Sequence, residues 1–390
     1  MKMSNYAASH PLVRISSKRF QKSPYFHCYA DSNAILGVYG KRFYALSVGE
    51  DPISRYWTLR QNAVLYDVPE RPIEISGPDA IHLLDHVFCR TVTSLPIGRA
   101  RYAIACLPTG EILMDGVLMR LDKDRFWYVQ ADGEFETWLR AHGLGMEVQI
   151  SDPDSWVTQV QGPRSLDVLA VACDDGMPDK FNYFDVTKCR MGGQSLLVSR
   201  TGWTGELGFQ IYTNGDETDG EALWNHLMVA GEAFGMLSSG LESMGIRRIE
   251  AGILDNGTDM DQTMTPFQAN LGRFVDLDKA VFIGRDALLH ADRRPLLFGL
   301  TCQTSIPRAG LNVRQGSKII GRMTTGAWSP FLDCGIGYIR LFEAEDHRPG
   351  KPVTLMESDE QTHAAEIVSL PFYDEKKEIP RGLDVTIPER

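Results

Sequence analysis

The sequence predicts an α+β protein with two similar lobes and a C-terminal all-β domain. Residues 73–80 have the pattern of a strand, a Gly-Pro turn and the start of a helix, and residues 160–166 repeat it. From Pro295 onward, short β-rich runs are separated by Gly and Pro turns, which is typical of a sandwich or barrel. We therefore predict a body over residues 1–290, with repeats at about 66–150 and 151–240, and a β domain over residues 291–390.

Length, charge and cysteine usage limit the classes of protein to which the chain can belong. Its 390 residues suit two or three domains, and an apolar fraction of 43% is ordinary for a globular chain. A net charge of −11 argues against nucleic acid or an acidic membrane surface as a partner. Seven scattered cysteines without a CxxC pair, and no apolar run near the ~20 residues of a membrane span, predict a reduced, cytoplasmic protein without a membrane segment.

The individual elements follow from local patterns. Residues 1–50 predict loops and short strands that pack on the later body, and residues 56–65 predict a helix. Each repeat continues with a hairpin and a helix, and two lobes built alike suggest a cleft between them for a ligand. The predicted hairpins and helices are residues 112–119 with 126–131 and then 134–142, and residues 196–200 with 208–212 and then 221–234. Strands of the β domain are predicted at residues 297–301, 318–323, 335–341, 353–356 and 366–370.

A glycine-rich link joins the two predicted strands of the second hairpin. Three glycines within seven residues allow a positive φ or a close approach to a flat or charged group. If Phe209 and Ile211 face the core, Gln210 and Tyr212 share the other face, near Trp203 in the link. An indole, an amide and a phenol suit a planar heterocycle with hydrogen-bonding edges. The same pattern also fits a buried hairpin with a packed tryptophan.

Two other polar patterns have ordinary structural explanations. His82 and His86 stand four residues apart on a predicted helix, as metal ligands can. Without an HExxH motif or a third ligand, they predict a solvated helix face and no metal site. Arg247 and Arg248 can bind an anion or form salt bridges on a helix surface.

Several short motifs occur in a fixed order along the chain. They are residues 75–80 (ISGPDA), 160–163 (VQGP), 199–206 (SRTGWTGE), 247–252 (RRIEAG), 256–260 (NGTDM), 282–285 (FIGR), 329–330 (SP) and 335–338 (GIGY). In this order they resemble the folate-binding aminomethyltransferase family, that of the glycine-cleavage T-protein, and within it most the dimethylsulfoniopropionate demethylases. The resemblance covers nearly everything from Tyr56 to Phe372.

The resemblance implies both an architecture and a cofactor. It implies a three-domain cloverleaf arrangement around a central channel that holds tetrahydrofolate. It also implies that the cofactor contacts come from Trp203, Gln210, Tyr212 and Arg248.

Two positions depart from the family pattern. T-proteins carry Gly-Gly-Ile-x-Asp-Asp, whose first Asp is catalytic, whereas residues 110–115 (GEILMD) place Met114 there and retain Asp115. A thioether cannot steer protons or stabilise a cationic iminium, so aminomethyl transfer is disfavoured. If Met114 occupies the place of the acid, the cleft is apolar there, and Asp115 faces away or sits at a bulge. Gln210 replaces a Glu that pairs with the donor edge of the pterin, and the lost charge lowers the expected folate affinity by about 1–2 kcal/mol.

These departures favour a tetrahydrofolate-dependent methyltransferase that demethylates a small onium donor such as dimethylsulfoniopropionate. An onium donor leaves as a neutral molecule and needs aromatic faces and a carboxylate, for which Trp203, Tyr102 and Asp115 are candidates. Tyr102 and Asp115 are the candidate catalytic residues. Three alternatives remain: a methoxyarene O-demethylase, whose catalytic Tyr is matched here by Met244; an aminomethyltransferase with a relocated acid; and a non-catalytic folate-binding protein, which Gln210 favours. The expected partners are the small-molecule donor and tetrahydrofolate.

Overall fold

The computed structural model describes residues 15–344, 348–358 and 361–390, so the first fourteen residues of the predicted N-terminal segment lie outside the described part. From residue 15 onward, this segment forms a hairpin, two helices and a strand that enters the body. Its elements are α1 (Phe26–Tyr29), β1 (Ile35–Tyr39), β2 (Arg42–Ser47), α2 (Pro52–Gln61) and β3 (Val64–Val68).

The first lobe is an antiparallel sheet covered on one face by two helices. Its elements are β4 (Arg71–Ser76), α3 (Ala80–Val87), β5 (Arg99–Cys106), β6 (Ile112–Asp122), β7 (Arg125–Gln130), α4 (Phe135–His142) and β8 (Gln149–Ser151). The strand order is β5-β6-β7-β4-β8. Ala80, Leu83, Leu84 and Val87 recur at helical spacing, which gives α3 an apolar stripe against the sheet.

The second lobe repeats this plan, as the internal repeat predicted. Its elements and the helices that follow are β9 (Val157–Gln161), α5 (Ser165–Ala172), β10 (Val186–Met191), β11 (Gln194–Ser199), β12 (Gly208–Tyr212), α6 (Gly220–Gly231), β13 (Leu237–Ser238), α7 (Glu242–Glu250) and α8 (Arg285–His290). The strand order is β10-β11-β12-β9-β3-β13. Because β3 completes this sheet and the chain then passes directly into β4, the two lobes are interleaved.

The C-terminal domain is a closed six-stranded barrel, which confirms the predicted all-β domain. Its strands are β14 (Leu297–Cys302), β15 (Asn312–Gln315), β16 (Lys318–Ser329), β17 (Cys334–Leu341), β18 (Lys351–Met356) and β19 (Thr362–Val368), and α9 (Glu378–Arg381) follows. The order around the barrel is β14-β17-β16-β15-β18-β19. Strand β15 was not predicted, because three of its four residues are polar. None of the helices within the described ranges is long and apolar enough to cross a bilayer.

The predicted helix over residues 56–65 is wrong at its end. Helix α2 ends at Gln61, and Asn62 leaves helical geometry with φ −126° and ψ −120°. All five residues of β3 are buried. Burial on both faces of a central strand therefore overrides the helical pattern at residues 64–65.

The inner faces of the two lobe sheets pack against each other. Trp127 and Val129 of β7 share one apolar cluster with Tyr66 of β3 and Tyr212 of β12. The rings of Trp127 and Tyr212 meet edge to face, with centroids 6.0 Å apart. This cluster fixes the distance between the two lobes. It also lies at the base of the cavity that is described in the next section.

One buried carboxylate joins the lobes to the barrel and the C-terminal segment. Glu250 Oε1 accepts hydrogen bonds from the hydroxyls of Tyr56 at 2.8 Å and Ser329 at 2.6 Å. Its Oε2 accepts a hydrogen bond from the hydroxyl of Tyr373 at 2.5 Å. Helix α2, helix α7, strand β16 and the C-terminal segment thus meet at one side chain.

Two arginines and a second carboxylate complete this network. Arg247 Nε lies 2.6 Å from Glu206 Oε1, and Arg60 Nε lies 3.2 Å from the same oxygen. Both guanidinium groups also lie within 4 Å of Glu250 Oε2, at 3.6 Å for Arg60 and 3.8 Å for Arg247. Two carboxylates therefore balance two guanidinium groups out of contact with water.

We predict that Glu250→Gln lowers the free energy of unfolding by about 3–5 kcal/mol, because removing one partner of a buried ion pair leaves the others unbalanced. Chemical denaturation with an unchanged m-value measures this loss. The control is Glu136→Gln, which breaks an exposed pair with Arg140 at 2.7 Å and is expected to cost about 0.5 kcal/mol or less. Equal losses in the two variants would contradict a structural role for Glu250.

Candidate functional site

A cavity of about 1230 Å³ lies where the two lobes, the β1–β2 hairpin and the barrel meet. Each part contributes to its wall: Tyr39 from the hairpin, Asp115 and Gln210 from the two lobe sheets, Arg248 from α7 and Thr325 from the barrel. In the part of the chain that the structure describes, no group of three His, Cys, Asp or Glu side chains is placed to hold a metal ion. The wall presents hydrogen-bonding, charged and aromatic side chains.

Asp115 and Tyr102, the two candidate catalytic residues, lie together on this wall. Asp115 Oδ2 accepts a hydrogen bond from the Tyr102 hydroxyl at 2.8 Å, and Oδ1 accepts one from Asn256 Nδ2 at 2.9 Å. Burial raises the pKa of Asp115, and these two hydrogen bonds partly offset the rise. Burial, and then the charge of Asp115, raise the pKa of Tyr102 well above its usual value. The ring of Tyr102 meets Phe274 edge to face, with centroids 4.8 Å apart.

The expectation that Met114 lines the cleft while Asp115 faces away is wrong. Between β5 and β6, Met114 pairs with Ala105 and Ile112 pairs with Cys106, so Leu113 is an extra residue in a β-bulge. Beyond the bulge, the strand alternates so that Asp115 faces the cavity and Met114 packs in the core of the first lobe. The cavity therefore keeps a carboxylate at this point, that of Asp115, although residue 114 is a methionine.

Arg248 lines the cavity rather than the outer surface, but its donors are largely committed. Its Nη1 donates to the carboxylate of Asp259 and to the carbonyl of Ile253 at 3.1 Å, and its Nη2 donates to Thr325 Oγ1 at 3.2 Å. Burial opposes its charge, but the Asp259 carboxylate raises the pKa of Arg248. Its guanidinium lies 5.0 Å from the ring centre of Trp203, which also lines the cavity. Arg248 and Trp203 thus form one stacked, charge-balanced wall.

Gln210 and Tyr212 share one face of β12, as predicted, but only Gln210 reaches the cavity. Tyr212 is fully buried between the sheets, and its hydroxyl lies 3.4 Å from Ser199 Oγ. Trp127 covers its ring. The prediction that Tyr212 lies beside the ligand is therefore corrected, because the packing of the two sheets closes over this position.

Gln210 belongs to a polar cluster around Glu70. Gln210 Nε2 donates to Glu70 Oε2, and Gln210 Oε1 accepts a hydrogen bond from the Thr201 hydroxyl. Gln159 Nε2 donates to Glu70 Oε1 at 3.3 Å. Burial raises the pKa of Glu70 to about 7, although the hydrogen bond from Gln210 lowers it. This cluster places a second carboxylate on the cavity wall.

Sequence reasoning missed three of these residues. Asn256 lies in a family motif, but the motif alone assigned it no contact. Gln159 carried a usable signal, because it is a polar residue in a strand whose five residues are all buried. Glu70 follows a buried strand in a short link, and nothing in the local pattern marks it.

Comparisons with known proteins agree over the whole fold. The chain matches the family model of the GCVT N-terminal domain over residues 43–279. It matches the glycine cleavage T-protein C-terminal barrel domain over residues 296–374. The crystal structure of glycine cleavage system aminomethyltransferase T from Bartonella henselae is similar, with a TM-score of 0.83 and 26% identity, over 91% of this chain and 98% of that chain.

Two relatives with assigned activities carry different names. An aminomethyltransferase of Alkaliphilus oremlandii is 33% identical over 81% of this chain and 87% of that protein. A trimethylamine-oxide aldolase of Ruegeria pomeroyi is 32% identical over 85% of this chain and 44% of that protein. Similarity at this level includes proteins with different reactions.

We predict that Met114→Asp lowers the free energy of unfolding by about 3 kcal/mol or more, because it buries a carboxylate without a partner in an apolar core. Met114→Leu, which nearly conserves volume, is expected to cost less than about 1.5 kcal/mol. Chemical denaturation of both variants tests the placement. If Met114→Asp is as stable as the native protein, residue 114 does not lie in the apolar core and its placement there is wrong.

Proposed function

The chain belongs to the glycine-cleavage T-protein family, and from that premise we propose that it transfers a methyl group from a small onium donor to tetrahydrofolate. The observation that carries the proposal is the Asp115 carboxylate, held on the cavity wall by Tyr102 and Asn256. Both of these hydrogen-bond partners are neutral. A desolvated carboxylate without a cationic partner favours a cationic ligand.

Aromatic rings around Asp115 support a cationic donor. Tyr102, Phe274 and Tyr39 line the same cavity. Burial, and then the charges of Asp255 and Asp115, raise the pKa of Tyr39. Aromatic faces attract sulfonium and ammonium groups, and a carboxylate adds direct charge attraction. We assign Asp115 and Tyr102 to the donor.

Buried acceptors elsewhere on the wall support a folate site. Oε1 of Gln130 and Oε1 of Gln159 are buried and receive no hydrogen bond from any residue in the described ranges. Both side chains line the cavity together with Trp203 and Gln210. A pterin ring offers a flat surface and several N–H donors, which these groups fit. We assign Trp203, together with the polar cluster around Gln210, to tetrahydrofolate.

Two cations on the wall fit the carboxylates of a ligand. Arg273 and Lys377 both line the cavity. Burial is the main reason that the pKa of Lys377 is lowered to about 8, and the charge of Arg273 lowers it further. They are therefore suited to the glutamyl end of a folate or to the carboxylate of a donor.

The chemistry asks mainly for alignment and exclusion of water. Tetrahydrofolate, when bound, supplies the nitrogen that accepts the carbon unit. The cavity residues hold the donor in line with that nitrogen. An onium donor leaves as a neutral sulfide or amine, so no general acid is needed. Asp115 stabilises the positive charge of the donor and accepts the proton that the transfer releases.

Aminomethyl transfer is the second candidate function, and the position of Asp115 favours it. The carboxylate that this reaction needs for proton transfer and for a cationic carbon lies on the cavity wall. The two functions differ in product: a methyl donor yields 5-methyltetrahydrofolate, whereas an aminomethylated lipoyl carrier yields the methylene form and ammonia. Mass analysis of the folate product after incubation with dimethylsulfoniopropionate, trimethylamine oxide and an aminomethylated carrier separates them.

We predict that Asp115→Asn lowers turnover of the active donor by about 10²–10³-fold, because the charge facing the donor is lost. The pKa of Asp115 is raised, and the ionised form is the active one, so activity falls as pH drops through that raised pKa. The acidic limb of the rate profile is expected above the ordinary aspartate value of about 3.9 and is lost in Asp115→Asn.

Asp152→Asn is the matched control, since Asp152 pairs with Arg71 at 2.5 Å on the surface. It is expected to leave the rate and its pH profile unchanged. A native-like rate in Asp115→Asn with every donor would remove Asp115 from the reaction.

We predict that tetrahydrofolate quenches tryptophan fluorescence with saturation, and that Trp203→Phe removes a large part of the change. Trp138→Phe is the control, because Trp138 packs beside the core of the first lobe rather than on the cavity. Absence of saturation at millimolar tetrahydrofolate would contradict the folate site.

A further inference from the structure

Glu70 occupies the junction between the two lobes. It is the second residue of the link Pro69-Glu70, which joins β3 in one sheet to β4 in the other. Its carbonyl oxygen accepts a hydrogen bond from Arg42 Nη1 at 2.7 Å, which fixes the backbone of the link. Its side chain lines the cavity shared by both lobes.

Of the two side chains Gln210 and Glu70, it is Glu70 that keeps acceptor positions for a ligand. The carbonyl oxygen of Gln210 is occupied by the Thr201 hydroxyl, and its amide nitrogen donates to Glu70. Gln210 is therefore turned with its donor toward the carboxylate. A carboxylate has about four acceptor positions, and Gln210 and Gln159 occupy two of those on Glu70.

The side chains that donate to the Glu70 carboxylate are both neutral amides, those of Gln210 and Gln159. Gln159 Oε1, in the residue that donates to Glu70, is buried and receives no hydrogen bond from the described part of the chain. The guanidinium of Arg42 donates to the backbone carbonyl of Glu70. Buried acceptors without donors are costly, so this corner of the cavity fits a ligand that presents several N–H groups.

We propose that Glu70 supplies the carboxylate that binds the donor edge of the pterin, in place of the glutamate that the family carries at position 210. The inference rests on the proposed tetrahydrofolate binding. The 2-amino group and N3–H of a pterin form two parallel donors, which match the two oxygens of one carboxylate. Gln210 then acts as a positioning residue that orients Glu70, and the charge reaches the pterin from the β3–β4 link instead of from β12.

The test compares the dissociation constants of tetrahydrofolate and a 2-desamino analogue by calorimetry. Native protein is expected to bind tetrahydrofolate roughly tenfold or more tightly than the analogue, because the analogue lacks one donor of the charge-assisted pair. Glu70→Gln is expected to weaken tetrahydrofolate binding by roughly tenfold and the analogue much less. Glu136→Gln is the control for loss of an exposed carboxylate that does not line the cavity.

The double variant Glu70→Gln/Gln210→Glu returns the charge to β12 and is expected to restore most of the lost affinity and the preference for the 2-amino group. If Glu70→Gln alone folds poorly, the double variant still tests whether a carboxylate at this point binds the pterin. Unchanged tetrahydrofolate affinity in Glu70→Gln, or a double variant that folds but restores nothing, would overturn the inference. Native protein that binds neither compound would instead overturn the proposed function on which the inference rests.

Discussion

The buried carboxylate of Glu250 is the point at which the three parts of the molecule are joined. It accepts hydrogen bonds from Tyr56 of α2, Ser329 of the barrel and Tyr373 of the C-terminal segment, and it shares two arginines with Glu206. Each of these groups is costly to bury alone, so the network is stable only when all the parts are docked. Because the cavity wall takes residues from each of these parts, the geometry of the site depends on this docking.

Charge is distributed unevenly around the cavity, and this follows from which groups are already paired. Arg248 is neutralised by Asp259 before any ligand arrives. Asp115 and Glu70 are instead held by neutral donors, from Tyr102 and Asn256 in one case and two glutamines in the other. Neutral hydrogen bonds orient a carboxylate without cancelling its charge. These parts of the wall therefore attract cations and N–H donors, whereas Arg273 and Lys377 suit anionic groups.

Sequence patterns predicted most of the fold but only a few residues of the cavity wall, because most of these patterns are local in the chain. Strand alternation and helical spacing are local, so the repeated lobes and the barrel could be predicted. The bulge at Leu113 decides whether Met114 or Asp115 faces the cavity, and it depends on pairing with β5. The depth of Tyr212 depends on Trp127, 85 positions earlier in the chain, through packing that no local pattern contains.

The two departures from the family pattern have a common structural explanation. Read as single positions, Met114 and Gln210 each signal a lost carboxylate. In the folded chain, a carboxylate lies on the wall in both places, from Asp115 on the same strand and from Glu70 on a different segment. What a cationic donor or a pterin edge requires is negative charge at a point in space, and the backbone can supply that charge from more than one residue. A substitution at a motif position therefore argues against a reaction only when no neighbouring segment presents the same group to the same cavity.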